Sequence, residues 1–431
     1  MDETLQSITK GFGTTLGNIG IVIGLGVMMG RILEVSGAAE QIAYSFIKWL
    51  GNRREEWALA LTGYLVSIPI FVDSAFVILY PVAKALSKKG NRSLVTLGIA
   101  LAGGLVVTHT CVPPTPGPLG AAGLFGVDIG SMMLLGMGLA VPCVIGIVLY
   151  AQWLGKRYPQ ITSMEQIPSP PRSHEVLPTL TRSLLPILIP IVLIFIKAAI
   201  NMLPQLSTAD GFAHILVQTF SFVGTPIIAL SISTLLAVYT LVPGLDRTST
   251  SARLEEGLQS AGIILMVTGA GGALGAVVRD SGVGNQLAGQ VASLPISPIM
   301  IPFIVSTIIR FIQGSGTVAS ITAASISAPI LAQIPGVNML IAAQASVMGS
   351  FFFSYFNDSL FWVVNRMMGV VDVRQQMAVW SISTTIAWAI GGISIAMVNL
   401  IFGSGGTWLD LLLPLPVVII ILMVMRRKMA H

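Results

Sequence analysis

Three ionisable residues lie inside strongly apolar stretches of the sequence, namely Asp73, His109 and Asp358. An ionisable side chain in the middle of a membrane helix costs about 2.5 to 3.5 kcal/mol, so its presence favours a functional role. Histidine binds and releases a proton within the pH range of a cell, and a buried carboxyl group can be adapted to do the same. We therefore predict that Asp73, Asp358 or His109 carries a coupling proton, with the two carboxylates ranked ahead of the histidine.

Each of these residues also has a structural interpretation. Asp73 could cap a hairpin turn, and Asp358, which follows Asn357, could cap a half-helix. His109 could brace an interrupted helix through a hydrogen bond. The sequence alone leaves both interpretations open for all three residues.

Composition places these residues in a membrane protein. The 431 residues are 54% hydrophobic and 10% charged, whereas about 25% of the residues in a soluble domain are charged. Apolar runs such as 187–200, 215–242 and 409–425 recur at lengths suited to helices that cross a bilayer. The net charge of +5 comes from short basic clusters between apolar runs. Such clusters are typical of cytoplasmic loops, so we predict no nucleic-acid partner.

The motifs of other chemistries are missing from the sequence. It contains no HExxH, GxSxG or GxxxxGK[ST] motif, which weakens the alternative of a membrane-embedded enzyme using His109 or Asp358. The four histidines show no metal-ligand spacing, so we predict no metal and no cofactor. A passive channel lined by polar breaks is a second alternative.

Two apolar stretches are interrupted by polar residues and prolines. The sequence THTCVPPTPGPL occupies 108–119, and SYFNDSLF occupies 354–361. Proline removes a backbone donor and frees a carbonyl, which a membrane helix tolerates only where protein or water satisfies the loosened groups. We therefore predict two broken helices, at 94–118 and 339–364, whose breaks line a cavity.

Two further stretches favour re-entrant helical hairpins. Residues 57–83 are apolar but have basic clusters at both ends, so a single crossing would violate the positive-inside rule. Pro69 ends the first arm, and the tip is predicted at 70–74. Residues 298–335 have no cation in either flank and carry a polar tip at 313–317. The first hairpin is expected to open to the cytoplasm and the second to the outside.

The chain also repeats itself at an offset of 245 residues. Aligning 17–43 with 262–288 gives ten identities in 27 positions. Because the deduced orientations are opposite, we predict an all-α polytopic membrane protein with inverted structural repeats, the plan of many secondary transporters. Two helices precede the second copy and have no counterpart before the first, so we expect relatives with an additional N-terminal helix pair. The predicted units are 1–155 (first repeat), 156–182 (cytoplasmic linker), 183–401 (two scaffold helices and the second repeat) and 402–431 (final span and basic cytoplasmic tail).

Four segments resemble the gluconate permease (GntP) family, and more distantly the wider ion-transporter superfamily. They are GLGVMMGRILEVSGAAEQIA at 24–43, HTCVPPTPGPL at 109–119, RFIQGSGTVAS at 310–320 and NDSLFWVV at 357–364. The chain departs from the family at Val72 and Asp73, where members often have phenylalanine and glutamate, and at Thr115, where many have a second histidine. The resemblance implies import of gluconate or a related sugar acid by proton symport, with one branch carrying D-serine. It also implies a homodimer.

A sugar acid needs positive potential for its carboxylate and polar groups for its hydroxyls. Helix N-termini at the hairpin tips would supply backbone donors, and Arg310 could bind the carboxylate as a fork. The alternative for Arg310 is that it extends to the outer membrane interface. The predicted substrate-binding residues are Ser74, Thr108, His109, Thr110, Thr115, Arg310, Gln313, Ser315, Gly316, Thr317, Asn357 and Ser359.

The remaining predictions concern partners, location and energy source. The expected partners are a small carboxylate substrate, the lipid bilayer and a second copy of the chain. The basic residues 426–428 predict a cytoplasmic C-terminus in a multi-pass inner-membrane protein. An ATP-binding motif is lacking, so an ion gradient should drive transport. The expected ion is a proton, and sodium is the alternative.

Overall fold

The structure is a computed structural model that describes residues 2–50, 54–90, 93–158, 177–202, 212–242, 247–403 and 405–419. Within these ranges every regular element is a helix, which confirms the all-α prediction. The first half contains α1 (Asp2–Val35), α2 (Ala38–Leu50), α3 (Glu55–Val66), α4 (Val72–Gly90), α5 (Leu94–Cys111), α6 (Pro116–Phe125) and α7 (Ile129–Arg157). The second contains α8 (Leu180–Met202), α9 (Phe212–Val223), α10 (Pro226–Leu241), α11 (Arg247–Asp280), α12 (Val283–Ala292), α13 (Met300–Gln313), α14 (Gly316–Leu331), α15 (Met339–Gly349), α16 (Ser359–Met367), α17 (Val373–Phe402) and α18 (Trp408–Leu412).

Several helices have the length and composition of membrane spans. Among the described residues, six are long and apolar enough to cross a bilayer, or seven if a bent pair counts as one span. The bent pair is α9 and α10, which meet at an angle of 70°. The predicted linker falls mainly on 159–176 and the predicted basic tail on 420–431, both outside the described residues.

The first predicted hairpin consists of α3 and α4, joined by residues 67–71. The link contains Pro69 and begins earlier than the predicted tip. Asp73 and Ser74 therefore lie in the first turn of α4 and not in the link itself. The link packs tightly on α1 at Gly30. A side chain added at Gly30 would collide with the carbonyl oxygen of Pro69.

The other three interruptions also lie within the predicted stretches. Helices α13 and α14 form the second hairpin around Gly314 and Ser315, and α5 and α6 are separated by 112–115. Residues 350–358 separate α15 from α16. The half-helices α6 and α16 run beyond the predicted limits of the broken helices, because nothing in their sequences stops a helix before the end of each apolar run.

Helices α1 and α11 pack against each other in antiparallel orientation. A side chain added at Gly11 would touch Gly272, and one added at Gly24 would touch Leu258. Between them, a Cβ at Gly20 would lie 3.6 Å from Leu265, the residue that the offset of 245 pairs with position 20. This arrangement is the one that a twofold axis in the membrane plane requires, and it supports the predicted inverted repeat.

Candidate functional site

Three of the four interruptions, together with the end of α5 that precedes the break at 112–115, meet around one cavity of about 390 Å³, called the central cavity below. The link of the first hairpin, both broken helices and the tip of the second hairpin all contribute to its wall. Its polar and charged lining residues are Asp73, His109, Thr110, Arg310, Gln313, Ser315, Thr317, Ser350, Asn357, Asp358, Ser359 and Thr384. Phe71, Val72, Val106, Gly314, Gly316, Phe351 and Leu360 complete the wall.

Three helix N-termini face the central cavity. Helix α4 begins at Val72, α14 at Gly316 and α16 at Ser359, and all three residues line the cavity. The first N–H groups of a helix have no partner within it and together carry about half a positive charge. The cavity therefore combines free backbone donors with positive potential, which suits an anionic group.

Arg310 is the cation of the central cavity. Its Nη2 lies 2.6 Å from Oδ2 of Asp358, and the side chains are only 6% and 13% exposed. The Nε of Arg310 is buried and has no hydrogen-bond partner. The alternative in which Arg310 reaches the outer interface is therefore wrong, because the side chain is buried and paired inside the protein. The Nε of Arg310 is therefore a hydrogen-bond donor that the described part of the protein does not use.

Asp358 is held by several donors in addition to Arg310. Its Oδ2 accepts a short hydrogen bond from Ser354, and its Oδ1 accepts one from the backbone N–H of Leu360 at 3.3 Å. The Oγ of Ser354 in turn accepts a bond from Nε1 of Trp380 at 2.9 Å. This network fixes Asp358 as the counter-ion of Arg310. Asp358 also caps α16, as its structural interpretation expected.

Helix α17 supplies the support for this network. Residues Met377–Ser381 form a π-helical turn, a feature that often marks functional sites. The turn carries Trp380, and one helical turn later Thr384 accepts a hydrogen bond from the backbone N–H of Ser354 at 3.1 Å. The break between α15 and α16 is thus fixed by side chains from a different helix.

Asp73 has a different environment from Asp358. Its Oδ2 accepts one long hydrogen bond, 3.5 Å from Oγ of Ser359, and its Oδ1 is buried without a partner. No cation among the described residues forms an ion pair with it. A carboxyl group with so few donors is suited to gaining and losing a proton.

His109 also lies on the wall with an unused polar atom. Its Nδ1 is buried and makes no hydrogen bond, and its ring lies 5.7 Å from that of Phe71. The ring contact brings the first broken helix against the first hairpin. His109 is therefore placed both to contact a ligand and to join these two elements.

Comparison with known proteins assigns the chain to a family. Residues 1–401 match the GntP family permeases. A permease of Haemophilus influenzae is 66% identical over 431 residues, covering 98% of this chain and 88% of its own length. A gluconate permease of Pseudomonas aeruginosa is 33% identical over 407 residues, with 93% of this chain and 89% of the relative covered. The chain belongs to the GntP permease family.

The fold of this GntP permease is similar to that of two solved membrane transporters. The YdaH transporter of Alcanivorax borkumensis superposes with a TM-score of 0.63 at 14% identity, over 90% of this chain and 88% of that one. MtrF of Neisseria gonorrhoeae gives a TM-score of 0.64 at 13% identity, over 94% of this chain and 86% of MtrF. These matches confirm the polytopic membrane fold. The protein is thus a multi-pass membrane permease with a small-molecule substrate, which points away from the enzyme alternative.

Three residues predicted for the site of the permease do not reach the central cavity. Successive residues of a helix point about 100° apart. His109 and Asp73 line the cavity, so their neighbours Thr108 and Ser74 point away from it. Thr108 is fully buried. Thr115 turns back to donate a hydrogen bond to the carbonyl of Val112 at 2.6 Å, within the break itself.

Sequence reasoning also missed several residues of the site. Thr384 and Trp380 lie in a continuous apolar helix with no break to mark them. Ser354 lies within the predicted second break, but nothing in the sequence indicates its role. The hydroxyl residues of α17 were a weak signal, because hydroxyl side chains inside membrane helices can also bond to their own backbone.

Gly314 is required by the tip of the second hairpin. Its φ angle is +92°, and an added side chain would collide with the backbone and side chain of Asn357. Gly314→Ala is expected to lower both uptake and the thermal stability of the purified protein, because it combines strain with a displaced tip. The matched control is Gly126→Ala, since Gly126 has a φ of +67° and open space around it. Equal effects in the two variants would contradict the tight packing of Gly314 on Asn357.

Proposed function

We propose that this GntP permease imports gluconate or a related small sugar acid together with a proton. The names of the relatives suggest the substrate, since those from Pseudomonas aeruginosa and Bacillus subtilis are called gluconate permeases. The observation that carries the proposal is the central cavity, where a buried arginine with a free donor meets three helix N-termini and a sparsely bonded carboxyl group.

The substrate carboxylate is assigned to the Arg310 side of the cavity. The unpaired Nε of Arg310 and the first N–H groups of α14, at Gly316 and Thr317, would share its two oxygens. The polyol chain would contact Gln313, Ser315, Asn357 and Ser359, whose side chains offer both donors and acceptors. A cavity of about 390 Å³ is within the size range of small-ligand sites.

The coupling proton is assigned to Asp73 among the three predicted carriers. Arg310 compensates only one negative charge, and Asp358 already supplies it. An entering anion would meet a second carboxylate if Asp73 were ionised, so binding of the anion and protonation of Asp73 favour each other. The charged and titratable groups facing Asp73 are Asp358, which caps α16, Arg310 of α13 and His109 of α5.

Symport of one proton with one monovalent anion moves no net charge. A pH difference would then drive uptake, while voltage, worth about 2.3 kcal/mol per charge per 100 mV, would contribute little. The proposal also includes two oppositely oriented repeats, a homodimer, an inner-membrane location and a cytoplasmic C-terminus. These follow from the charge pattern and the resemblance.

Uptake into proteoliposomes tests the proposed function. We expect labelled gluconate or a related sugar acid to accumulate when the interior is alkaline, without sodium, and an uncoupler to abolish accumulation. The panel should include other sugar acids, D-serine and dicarboxylates. Preferential uptake of D-serine would make the protein an amino-acid permease. Uptake that requires sodium and resists the uncoupler would contradict proton coupling, downhill flux alone would indicate a channel, and release of a chemically altered product would indicate an enzyme.

A further inference from the structure

A polar stripe follows one face of α1. Lys10, Thr14 and Asn18 are spaced by four residues, so they lie above one another on the helix. Polar and charged groups on a membrane helix are costly unless they face protein or a water-filled cavity. These residues line a second cavity of about 460 Å³, larger than the central one. The stripe therefore has a hydrophilic space in front of it that the proposed function does not use.

The second cavity has a positive and hydroxyl-rich wall. Arg279 of α11 and Ser325 of α14 face the stripe, and no carboxylate is among the lining residues. Asp280 lies outside the lining, where it accepts bonds from Arg279 at 3.1 Å and from Ser7 at 2.7 Å. Lys10 and Arg279 carry two positive charges and Asp280 carries one negative charge, so the group has a net charge of +1. Cations, an amide and hydroxyls are the groups that recognise a hydroxylated anion.

Helices α6 and α14 connect the second cavity to the central one. At one end of α6, Gly117 lies against Thr317 and Ser320 of α14, beside the central cavity. At its other end Gly123 and Phe125 line the second cavity. Ser325 follows Thr317 by eight residues on α14, which is a distance of about 12 Å along the helix. The two cavities are therefore neighbours along the α6–α14 pair.

We propose that the second cavity is an anion subsite that binds the substrate on its way between one face of the membrane and the central cavity. The identity of the anion rests on the proposed function, whereas the preference for negative charge rests on Lys10 and Arg279 alone. If the second hairpin opens to the outside, as its flanks predict, this subsite lies on the outer side and receives the substrate first.

Charge-selective labelling tests the electrostatic part without any substrate. In the variant Asn18→Cys, a negatively charged thiosulfonate reagent should react about tenfold faster than a positively charged one of similar size, because a cationic cavity concentrates anions. The native Cys111 and Cys143 are fully buried and should not react. Adding Lys10→Gln and Arg279→Gln should remove the preference. Ser293→Cys, at an exposed position after α12, is the control and should show no preference.

Protection by substrate tests the assignment of the anion. The sugar acid that accumulates in the uptake panel should slow labelling of Asn18→Cys, and Lys10→Gln with Arg279→Gln should raise its KM about tenfold. Absence of charge preference, or a preference that survives removal of both cations, would overturn the subsite. If the charge preference exists but the transported anion does not slow labelling, the occupant of the second cavity is not the substrate. The same conclusion follows if the charge preference is lost in nanodiscs of anionic lipid and kept in nanodiscs of zwitterionic lipid. The labelling result stands even if gluconate is not transported, so the two proposals fail separately.

Discussion

Asp73→Asn is expected to abolish accumulation of substrate while leaving exchange of internal for external substrate intact. Asparagine keeps the shape of the side chain and can still accept the hydrogen bond from Ser359, but it cannot carry a proton. A pH difference of one unit is worth about 1.36 kcal/mol and supports about tenfold accumulation by the wild type. The variant should reach only the external concentration. Exchange should persist because it needs substrate binding without net proton movement.

The control for Asp73 is an aspartate with a purely structural role. Asp128 caps α7 by accepting a hydrogen bond from the backbone N–H of Ser131 at 2.8 Å, and it does not line either cavity. Asp128→Asn should accumulate substrate normally. If Asp73→Asn also accumulates substrate like the wild type, Asp73 is not the proton carrier, and His109 becomes the next group to test.

Arg310→Gln is expected to remove both accumulation of substrate and exchange of internal for external substrate. Removing one partner of a buried ion pair in a binding site costs about 2 to 5 kcal/mol, which corresponds to a loss of about thirtyfold or more in uptake. Arg310→Lys keeps the positive charge but loses the fork that the Nε and Nη groups form, so it should restore membrane insertion but little transport. The measurement is initial uptake rate, normalised to the amount of protein in the membrane.

A double variant separates this effect from misfolding. Arg310→Gln alone leaves Asp358 buried without its cation, which destabilises a fold by about 3 to 5 kcal/mol. Combining it with Asp358→Asn removes both charges, so the protein should reach the membrane and still fail to bind substrate. Arg366→Gln is the control, because Arg366 is exposed and stacks on Trp362. Normal uptake by the double variant would show that the substrate does not bind to Arg310.

The interruptions could be predicted from the sequence because their causes are local. Prolines in the first break and glycine beside serine at the second hairpin tip disfavour a continuous helix wherever they occur. Ser315 caps α14 by accepting a hydrogen bond from Val318 at 3.3 Å, as its residue type suggests. Local signals also placed Asp73, His109 and Asp358 within apolar surroundings, and all three line the central cavity.

The pairing of these residues could not be predicted because it depends on contacts between distant segments. Arg310 meets Asp358 across 48 residues, and Trp380 meets Ser354 across 26. In the sequence, Asp73 and Asp358 are equally good candidates for the proton carrier. They differ only in their donors, and those donors come from other helices. Which face of α5 points inward was likewise undetermined, so Thr108 was predicted together with His109.

Substrate-driven proton movement is the most direct test of the account. Proteoliposomes containing the wild-type protein and an internal pH-sensitive dye, without any imposed gradient or sodium, should acidify internally when gluconate is added outside. Asp73→Asn should show no acidification while it still exchanges labelled gluconate. Gluconate entry without acidification in the wild type, or equal acidification in the variant, would contradict proton-coupled binding of a sugar acid in the central cavity.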